Sequence, residues 1–167
     1  MKLLRKLLIV FGALLVLGVA HHGILGKQRI VDAGREILLP LRPVDPRSIM
    51  QGDYMVLRYQ ASVFPEKAVA AVLPRRGVVV LALDEHGVGR FAHVDDGGEL
   101  AANEVRLRYM ARLASGDLRY GGESFFFQEG DAKLYETAEF GRIRVDPAGN
   151  AVLVGVAGED RKAVGRQ

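Results

Sequence analysis

The sequence predicts a mostly β domain, an antiparallel sandwich or small barrel with one short helix, preceded by an N-terminal transmembrane helix. Three observations support this prediction. Residues 7–26 contain no charged side chain. The rest of the chain consists mainly of short alternating or β-branched runs separated by turn residues, which is typical of antiparallel β folds. Only the stretch 132–140 clearly departs from this two-residue period.

Composition narrows the classes of function. The formal net charge is +3 and the basic residues are scattered among acids, which argues against a nucleic-acid-binding surface. The chain has no cysteine, so thiolate catalysis, disulfides and cysteine-based zinc sites are excluded. It also has no tryptophan, which weakens the case for an aromatic cage.

The N-terminal segment predicts a membrane anchor. Residues 1–6 carry three positive charges, and residues 7–26 could extend about 30 Å as a helix, which matches a hydrocarbon core. The positive flank predicts a cytoplasmic N-terminus and an exported body, which in a bacterium means a single-pass inner-membrane protein with a periplasmic domain. The alternative is a cleaved signal peptide with Gly18 and Ala20 before the cut.

The body of the chain predicts about eight strands. They fall within 35–44, where Pro40 marks an edge or a bulge, within 53–63, in a hairpin over 77–91, within 104–114, within 117–130, and in a hairpin over 141–156. Alternation puts Tyr54, Val56 and Arg58 on one face of the second stretch and Met55, Leu57 and Tyr59 on the other. In 104–114 the side chains predicted to face inward are Val105, Leu107 and Tyr109.

One stretch predicts a short helix. Asp131 can cap a helix over 132–140, and Gly141 can end it. The side chains predicted to face the core are Leu134, Tyr135 and Ala138.

The domain organisation follows from these elements. Residues 1–33 form a cytoplasmic stub, the anchor at about 7–26 and a juxtamembrane segment, residues 34–158 form an exported β domain, and residues 159–167 form a charged, frayed tail. A second helical turn is expected between the prolines of 65–74.

The stretch "PVDPRSIMQGDYMVLRY" at 43–59 predicts a structural corner, with a binding edge as the alternative. Pro43 and Pro46 favour extended neighbours, Asp45 is placed to accept main-chain N–H bonds, and Gly52 can adopt a backbone angle that other residues resist. Ion pairs across the corner are expected among Arg42, Asp45, Arg47, Asp53 and Arg58.

Catalytic and metal-binding patterns are weak in this sequence. The stretch 44–53 is similar in shape to the Gly-Asp box of signal peptidases, but Val44 stands where the nucleophilic serine belongs. The hairpin 77–94 contains no lysine that could act as the base. The polar residues of this hairpin are interpreted as solvated surface rather than as a metal site, and they are Asp84, His86, His93, Asp95 and Asp96. No cofactor is predicted.

The stretch "GDYMVLRY", 52–59, matches Gly-Asp-Tyr-x-x-Leu-x-Tyr at every fixed position, and the chain resembles the bacterial GDYXXLXY family. The likeness extends from about Val31 to Val156. The resemblance implies a hydrophobic anchor and a multi-pass membrane protein as partner, and it implies no particular activity. The residues assigned to a binding corner are Asp45, Arg47, Gly52, Asp53, Tyr54, Leu57 and Tyr59.

These observations predict a membrane-anchored periplasmic β domain that acts as a binding or accessory module for a membrane protein. A hydrolase of signal-peptidase-like β fold is the alternative, with an arrangement around Ser48, Asp53, His86 and His93. A carrier of apolar ligands within a barrel is a third hypothesis.

Overall fold

A computed structural model describes residues 2–42, 54–60, 63–111, 118–128 and 130–165. The helices in these ranges are α1 Lys2–Ala33, α2 Lys67–Val72 and α3 Ala132–Tyr135. The strands are β1 Arg35–Pro40, β2 Tyr54–Val56, β3 Arg76–Leu83, β4 Gly89–Val94, β5 Glu104–Ala111, β6 Leu118–Arg119, β7 Ser124–Phe126, β8 Phe140–Val145, β9 Ala151–Ala157 and β10 Ala163–Val164.

The strands form two four-stranded antiparallel sheets and one two-stranded sheet. Their orders are β1-β8-β9-β10, β4-β3-β5-β6 and β2-β7. Single bridges join Leu38 to Val88 and Leu41 to Tyr59, so the sheets curve around one core as a partly closed barrel. The predicted fold class is confirmed, and β1 lies at a sheet edge as Pro40 indicated.

Strand alternation determines which side chains fill this core. The side chains of Val105, Leu107 and Tyr109 are buried as predicted. On β1, β3 and β8 the buried side chains include Ile37, Leu39, Val79, Leu81, Ile143 and Val145. These side chains pack together in the interior between the sheets.

Both predicted hairpins are confirmed, and an aspartate organises each turn. The Oδ1 atom of Asp84 accepts N–H bonds of 2.9 Å from His86 and Val88 between β3 and β4. The Oδ1 atom of Asp146 accepts N–H bonds from Ala148 and Asn150 between β8 and β9. A carboxylate that satisfies two main-chain donors favours the turn over an extended path.

The single strand predicted within 117–130 is wrong, because the structure has two short strands there. Gly121 has a φ of +85°, and this left-handed angle turns the chain between them. As a result β6 pairs with β5 whereas β7 pairs with β2.

The predicted helix over 132–140 is only partly correct. It ends at Tyr135, and Gly141 lies inside β8 rather than at a helix end. The side chain of Leu134 points outward at 45% exposure, whereas Tyr135 is buried and Ala138 packs against the core. The chain leaves the helix early because it must reach its pairing position on β9, where the Glu139 N–H donates to the Ala157 carbonyl.

The end of the chain is more ordered than predicted. Residues 158–162 form a turn in which the Gly158 N–H donates to the Lys162 carbonyl, and β10 then pairs with β9. The apolar side chain of Val164 packs against the core, which stabilises this last strand. The second helical turn expected within 65–74 is present as α2.

Helix α1 joins the β domain with only Gly34 between them. Its apolar segment lies outside the core, and the helix is long and apolar enough to span a membrane. Near its end, Ile30 is buried at 7% exposure. The guanidinium of Arg144 donates to the carbonyls of Val31 and Asp32 at 2.8 and 3.3 Å.

A second arginine strengthens this junction. The carboxylate of Glu36 on β1 pairs with Arg142 at 2.8 Å and with Arg144 at 3.5 Å. The hydrogen bond from Arg142 lowers the pKa of Glu36 below its ordinary value. The helix end, β1 and β8 are thus connected through one charged network.

Candidate functional site: the groove beside the motif strand

The motif strand, residues 54–60, lies between two other segments. On one side the Leu57 N–H donates to the Glu123 carbonyl at 2.8 Å. On the other side the Arg42 N–H donates to the Arg58 carbonyl and the Gln60 N–H donates to the Pro40 carbonyl. The motif therefore connects the end of β1 to the segment before β7.

Tyr59 of the motif is part of the core. Its hydroxyl donates to the carbonyl of Gly122, and its ring lies so close to Gly122 and Gly141 that a Cβ at either position would approach it to 3.1 Å. Burial, together with the nearby Glu123 carboxylate, raises the pKa of Tyr59 far above its ordinary value. This phenol is a structural hydrogen-bond donor, held neutral at physiological pH.

Leu57 and Tyr54 have different environments. Leu57 is buried in the core. The ring of Tyr54 lies 5.6 Å from the ring of Phe126, and Phe126 is 72% exposed. The phenylalanine run is therefore not buried on both faces, since Phe125 and Phe127 pack on Tyr135 while Phe126 points to solvent.

The other predicted site residues lie outside the described residues. These are Asp45, Arg47, Gly52 and Asp53, together with Ser48 of the alternative hydrolase site. The binding role assigned to them stays a prediction, as do the ion pairs expected across this corner.

A groove of about 1030 Å³ opens beside the motif strand. Its lining consists of residues 41–42, 55–58, 60, 135–140, 158–160 and 164. These segments are neighbours in an unbroken series of main-chain bonds: Arg42 N–H to Arg58 O, Leu41 N–H to Glu139 O, and Glu139 N–H to Ala157 O. The groove thus runs across four adjacent chain segments, and three interstrand steps make about 14 Å.

The two ends of the groove carry opposite charges. Arg42 and Arg58 are at the motif end, and Glu136, Glu139 and Glu159 are at the other end. All five residues are exposed. Among the residues that the structure describes, none of the three glutamates and neither arginine forms an ion pair.

The remaining charges at the groove are engaged locally. The Nε atom of Arg42 donates to the Tyr59 carbonyl at 3.1 Å, which holds this side chain along the motif strand. Asp160 accepts the Lys162 N–H, and this bond lowers the pKa of Asp160. Asp160 therefore organises its own turn, whereas none of the three glutamates forms an ion pair with a described residue.

The histidines of the alternative hydrolase hypothesis do not converge. His86 sits in the β3–β4 turn beside Glu85 at 3.3 Å, and His93 lies near the end of β4 beside Glu104 at 3.7 Å. The extended part of the chain between them, from Val88 to His93, alone spans about 17 Å. In the described ranges no group of three His, Cys, Asp or Glu side chains could hold a metal ion.

The neighbouring hairpin acids have structural roles. The Nε atom of Arg106 pairs with Asp95 at 3.1 Å and lowers its pKa. The pKa of Asp84 is lowered by the turn N–H bonds, with Val88 contributing most. These two carboxylates therefore stabilise the fold in their ionised form, Asp95 through Arg106 and Asp84 through its turn.

The groove lies at the opposite end of β1 from α1. β1 begins at Arg35, with one residue between it and α1, and ends at Pro40, directly before the groove residue Leu41. Five residue steps along a strand span about 17 Å. α1 and the groove are thus held at a fixed separation by one sheet.

Sequence reasoning found only one side of this groove. Of the predicted corner residues that the structure describes, only Leu57 lines the groove, and Arg58 was expected only in ion pairs across the corner. Glu136, Glu139 and Glu159 were not predicted. They converge through pairing between β8, β9 and the end of β1, and no local pattern reveals that pairing.

Comparison with known proteins gives a family. The family model described as GDYXXLXY protein matches residues 16–156, which is most of the chain. No curated protein and no solved structure matches the chain.

Proposed function

The chain belongs to the GDYXXLXY protein family, and on that premise we propose that it is a membrane-anchored binding module whose groove receives part of a membrane protein. The N-terminus is cytoplasmic and the β domain is in the periplasm. The basic start and the uncharged stretch 7–26 support this orientation.

The observation that carries the proposal is the direct junction between α1 and β1. A domain on a flexible linker could reach partners at many distances from the bilayer. Here one residue separates helix from strand, and Arg144 binds the helix end. The groove is therefore held at one height and orientation, which suits a partner embedded in the same membrane.

The groove supplies the contact surface. It combines exposed or partly exposed apolar side chains such as Val56 and Val164 with exposed charges such as Arg58 and Glu139, which form no ion pair with a described residue. An apolar centre with a polar rim is typical of protein interfaces. The exposed ring of Phe126, beside Tyr54, extends this surface along the motif strand.

Site-specific photo-crosslinking tests the proposal. A photoreactive residue at position 58 in the groove should give an adduct with a membrane protein in intact membranes. The same residue at position 85, an exposed site in the β3–β4 turn, is the matched control and should not. Equal adducts from both positions, or adducts from position 58 with soluble proteins alone, would contradict the proposal.

Single cysteines test the orientation, since the chain has none of its own. Asp96→Cys in the β domain should react with a membrane-impermeant maleimide in cells with a permeabilised outer membrane. Lys2→Cys should react only after the inner membrane is broken. The reverse pattern would place the domain in the cytoplasm.

A further inference from the structure

The charge distribution of the groove indicates what chemical class of ligand it fits. Six of its seventeen lining residues are charged, and an acyl chain would desolvate them without offering a hydrogen bond or a counter-charge, at a high cost. A ligand must instead offer apolar contacts and both signs of charge. A polypeptide segment provides this combination.

The geometry sets the spacing of those charges. Arg58 lies on the motif strand, and Glu159 lies in the turn after β9. Three interstrand steps separate these segments by about 14 Å, and an extended chain covers this distance in about four residues. The groove is formed by adjacent, mostly extended chain segments and is open to solvent rather than enclosed.

We infer that the groove binds an extended polypeptide segment that carries an acidic residue at one end, a basic residue about four positions away, and apolar residues between them. The acidic residue pairs with Arg58, and the basic residue pairs with the glutamates at 136, 139 and 159. The exposed or partly exposed apolar side chains of the lining, Val56, Phe140 and Val164, contact the apolar side chains of the ligand. This inference rests on the proposed function and specifies the part of the partner that is bound.

Three short peptides test the ligand chemistry against the full-length protein in lipid nanodiscs. All three are acetylated and amidated to remove the terminal charges: two have the orders Asp-Leu-Val-Leu-Lys and Lys-Leu-Val-Leu-Asp, and the third is the neutral Asn-Leu-Val-Leu-Gln. One charged order should bind on the order of tenfold more tightly than the neutral peptide, because each exposed ion pair contributes about two- to fivefold. The preference should fall as salt is raised.

Matched variants locate the binding. Arg58→Gln and Glu139→Gln should each weaken the favoured charged peptide about two- to fivefold and leave the neutral peptide unchanged. Arg119→Gln, an exposed arginine on β6, is the control and should change neither. Unchanged thermal unfolding of each variant shows that the fold is intact.

Several outcomes would overturn the inference. These are equal binding of all three peptides, equal effects of Arg58→Gln and Arg119→Gln, and an adduct from position 58 that is a lipid or a second copy of this chain. The two proposals also fail separately. Charge-dependent peptide binding without a membrane-protein adduct would contradict only the proposal that the partner is a membrane protein. An adduct without any charge preference among the peptides would contradict only the proposed charge pattern of the ligand.

Discussion

The guanidinium of Arg144 donates a 2.8 Å hydrogen bond to the main-chain carbonyl oxygen of Val31. Carbonyls in the last turn of a helix have no intrahelical donor, and the helix dipole makes this end negative. A cation from β8 therefore satisfies the end of the anchor helix. The same side chain also reaches Glu36 on β1 at 3.5 Å, so it joins the anchor to the domain.

Replacing Arg144 should loosen this joint. Arg144→Ala should lower the free energy of unfolding by about 1–2 kcal/mol, because it removes charge-assisted bonds to a helix terminus. It should also broaden the distribution of distances between spin labels on cysteines at positions 27 and 96, measured by electron–electron double resonance. Arg119→Ala should change neither quantity, and an unchanged distribution in Arg144→Ala would show that the joint is held by other contacts.

Much of the fold was predictable because its signals are local. The hairpin turns at Asp84 and Asp146 are encoded by an aspartate with glycine or asparagine nearby, and these residues satisfy their own turn. The inward side chains of β5 follow directly from strand alternation. Neither feature depends on a distant partner.

The errors arose where pairing between distant segments determined the local structure. One strand was predicted within 117–130, but the segments on either side of Gly121 pair with β5 and with β2 and so form two strands. The predicted helix from Ala132 is longer than the observed one, because the sequence does not reveal that Glu139 pairs with Ala157. Propensity was overridden by tertiary contacts in both cases.

The candidate site was less predictable than the fold. Leu57 and Tyr59 were assigned to the binding corner because they are fixed positions of the motif. An apolar or aromatic side chain at a fixed position can serve either core packing or binding, and the sequence does not distinguish the two. Their burial shows that both side chains contribute to the core. The exposed charges of the groove come from segments about 80 and 100 residues further along the chain, so only the fold brings them together.

Stability should depend on pH through Glu36. Its pKa is lowered in the folded state, first by the hydrogen bond from Arg142, so protonation favours the unfolded state. The contribution of Glu36 is therefore complete above its ordinary pKa of 4.5 and is lost as the pH falls through the folded value. Because the pair is partly exposed, the effect should stay below about 1 kcal/mol.

Chemical unfolding between pH 7 and pH 3 would measure this dependence. Glu36→Gln should be less stable than the native sequence at pH 7, and the difference should shrink towards pH 3. Glu99→Gln, an exposed glutamate without an ion pair among the described residues, is the control. A difference that stays constant with pH would mean that the Glu36 charge does not stabilise the junction.

Removal of the hydroxyl should affect the free energy of unfolding differently at two buried tyrosines. The Tyr59 hydroxyl donates to the Gly122 carbonyl, so Tyr59→Phe leaves a buried acceptor unpaired and should cost about 1–3 kcal/mol. The Tyr109 hydroxyl has no hydrogen-bond partner among the described residues. Tyr109→Phe should therefore be neutral, or should stabilise the fold by up to about 1 kcal/mol. Circular dichroism during unfolding would measure the stability of both variants. Equal losses of unfolding free energy in the two would contradict the hydrogen-bond assignment.

Gly34 should not tolerate a side chain, because the helix and the strand meet there too closely. A Cβ at this position would lie 2.4 Å from the Ile30 carbonyl oxygen, which is main chain and cannot rotate away. It would also lie 3.2 Å from main-chain atoms of Val145. Gly34→Ala should therefore displace the last turn of α1 and cost about 1–3 kcal/mol, as overpacking does elsewhere.

Gly155→Ala is the matched control for this substitution. Its Cβ would have a single neighbour, the flexible end of Arg142 at 3.8 Å, and alanine restricts the unfolded chain more than glycine does. Thermal unfolding in nanodiscs should show a loss for Gly34→Ala and no loss for Gly155→Ala. Label distances between positions 27 and 96 should change only in Gly34→Ala. If both variants kept the native distance and stability, α1 would not be fixed to the β domain at Gly34.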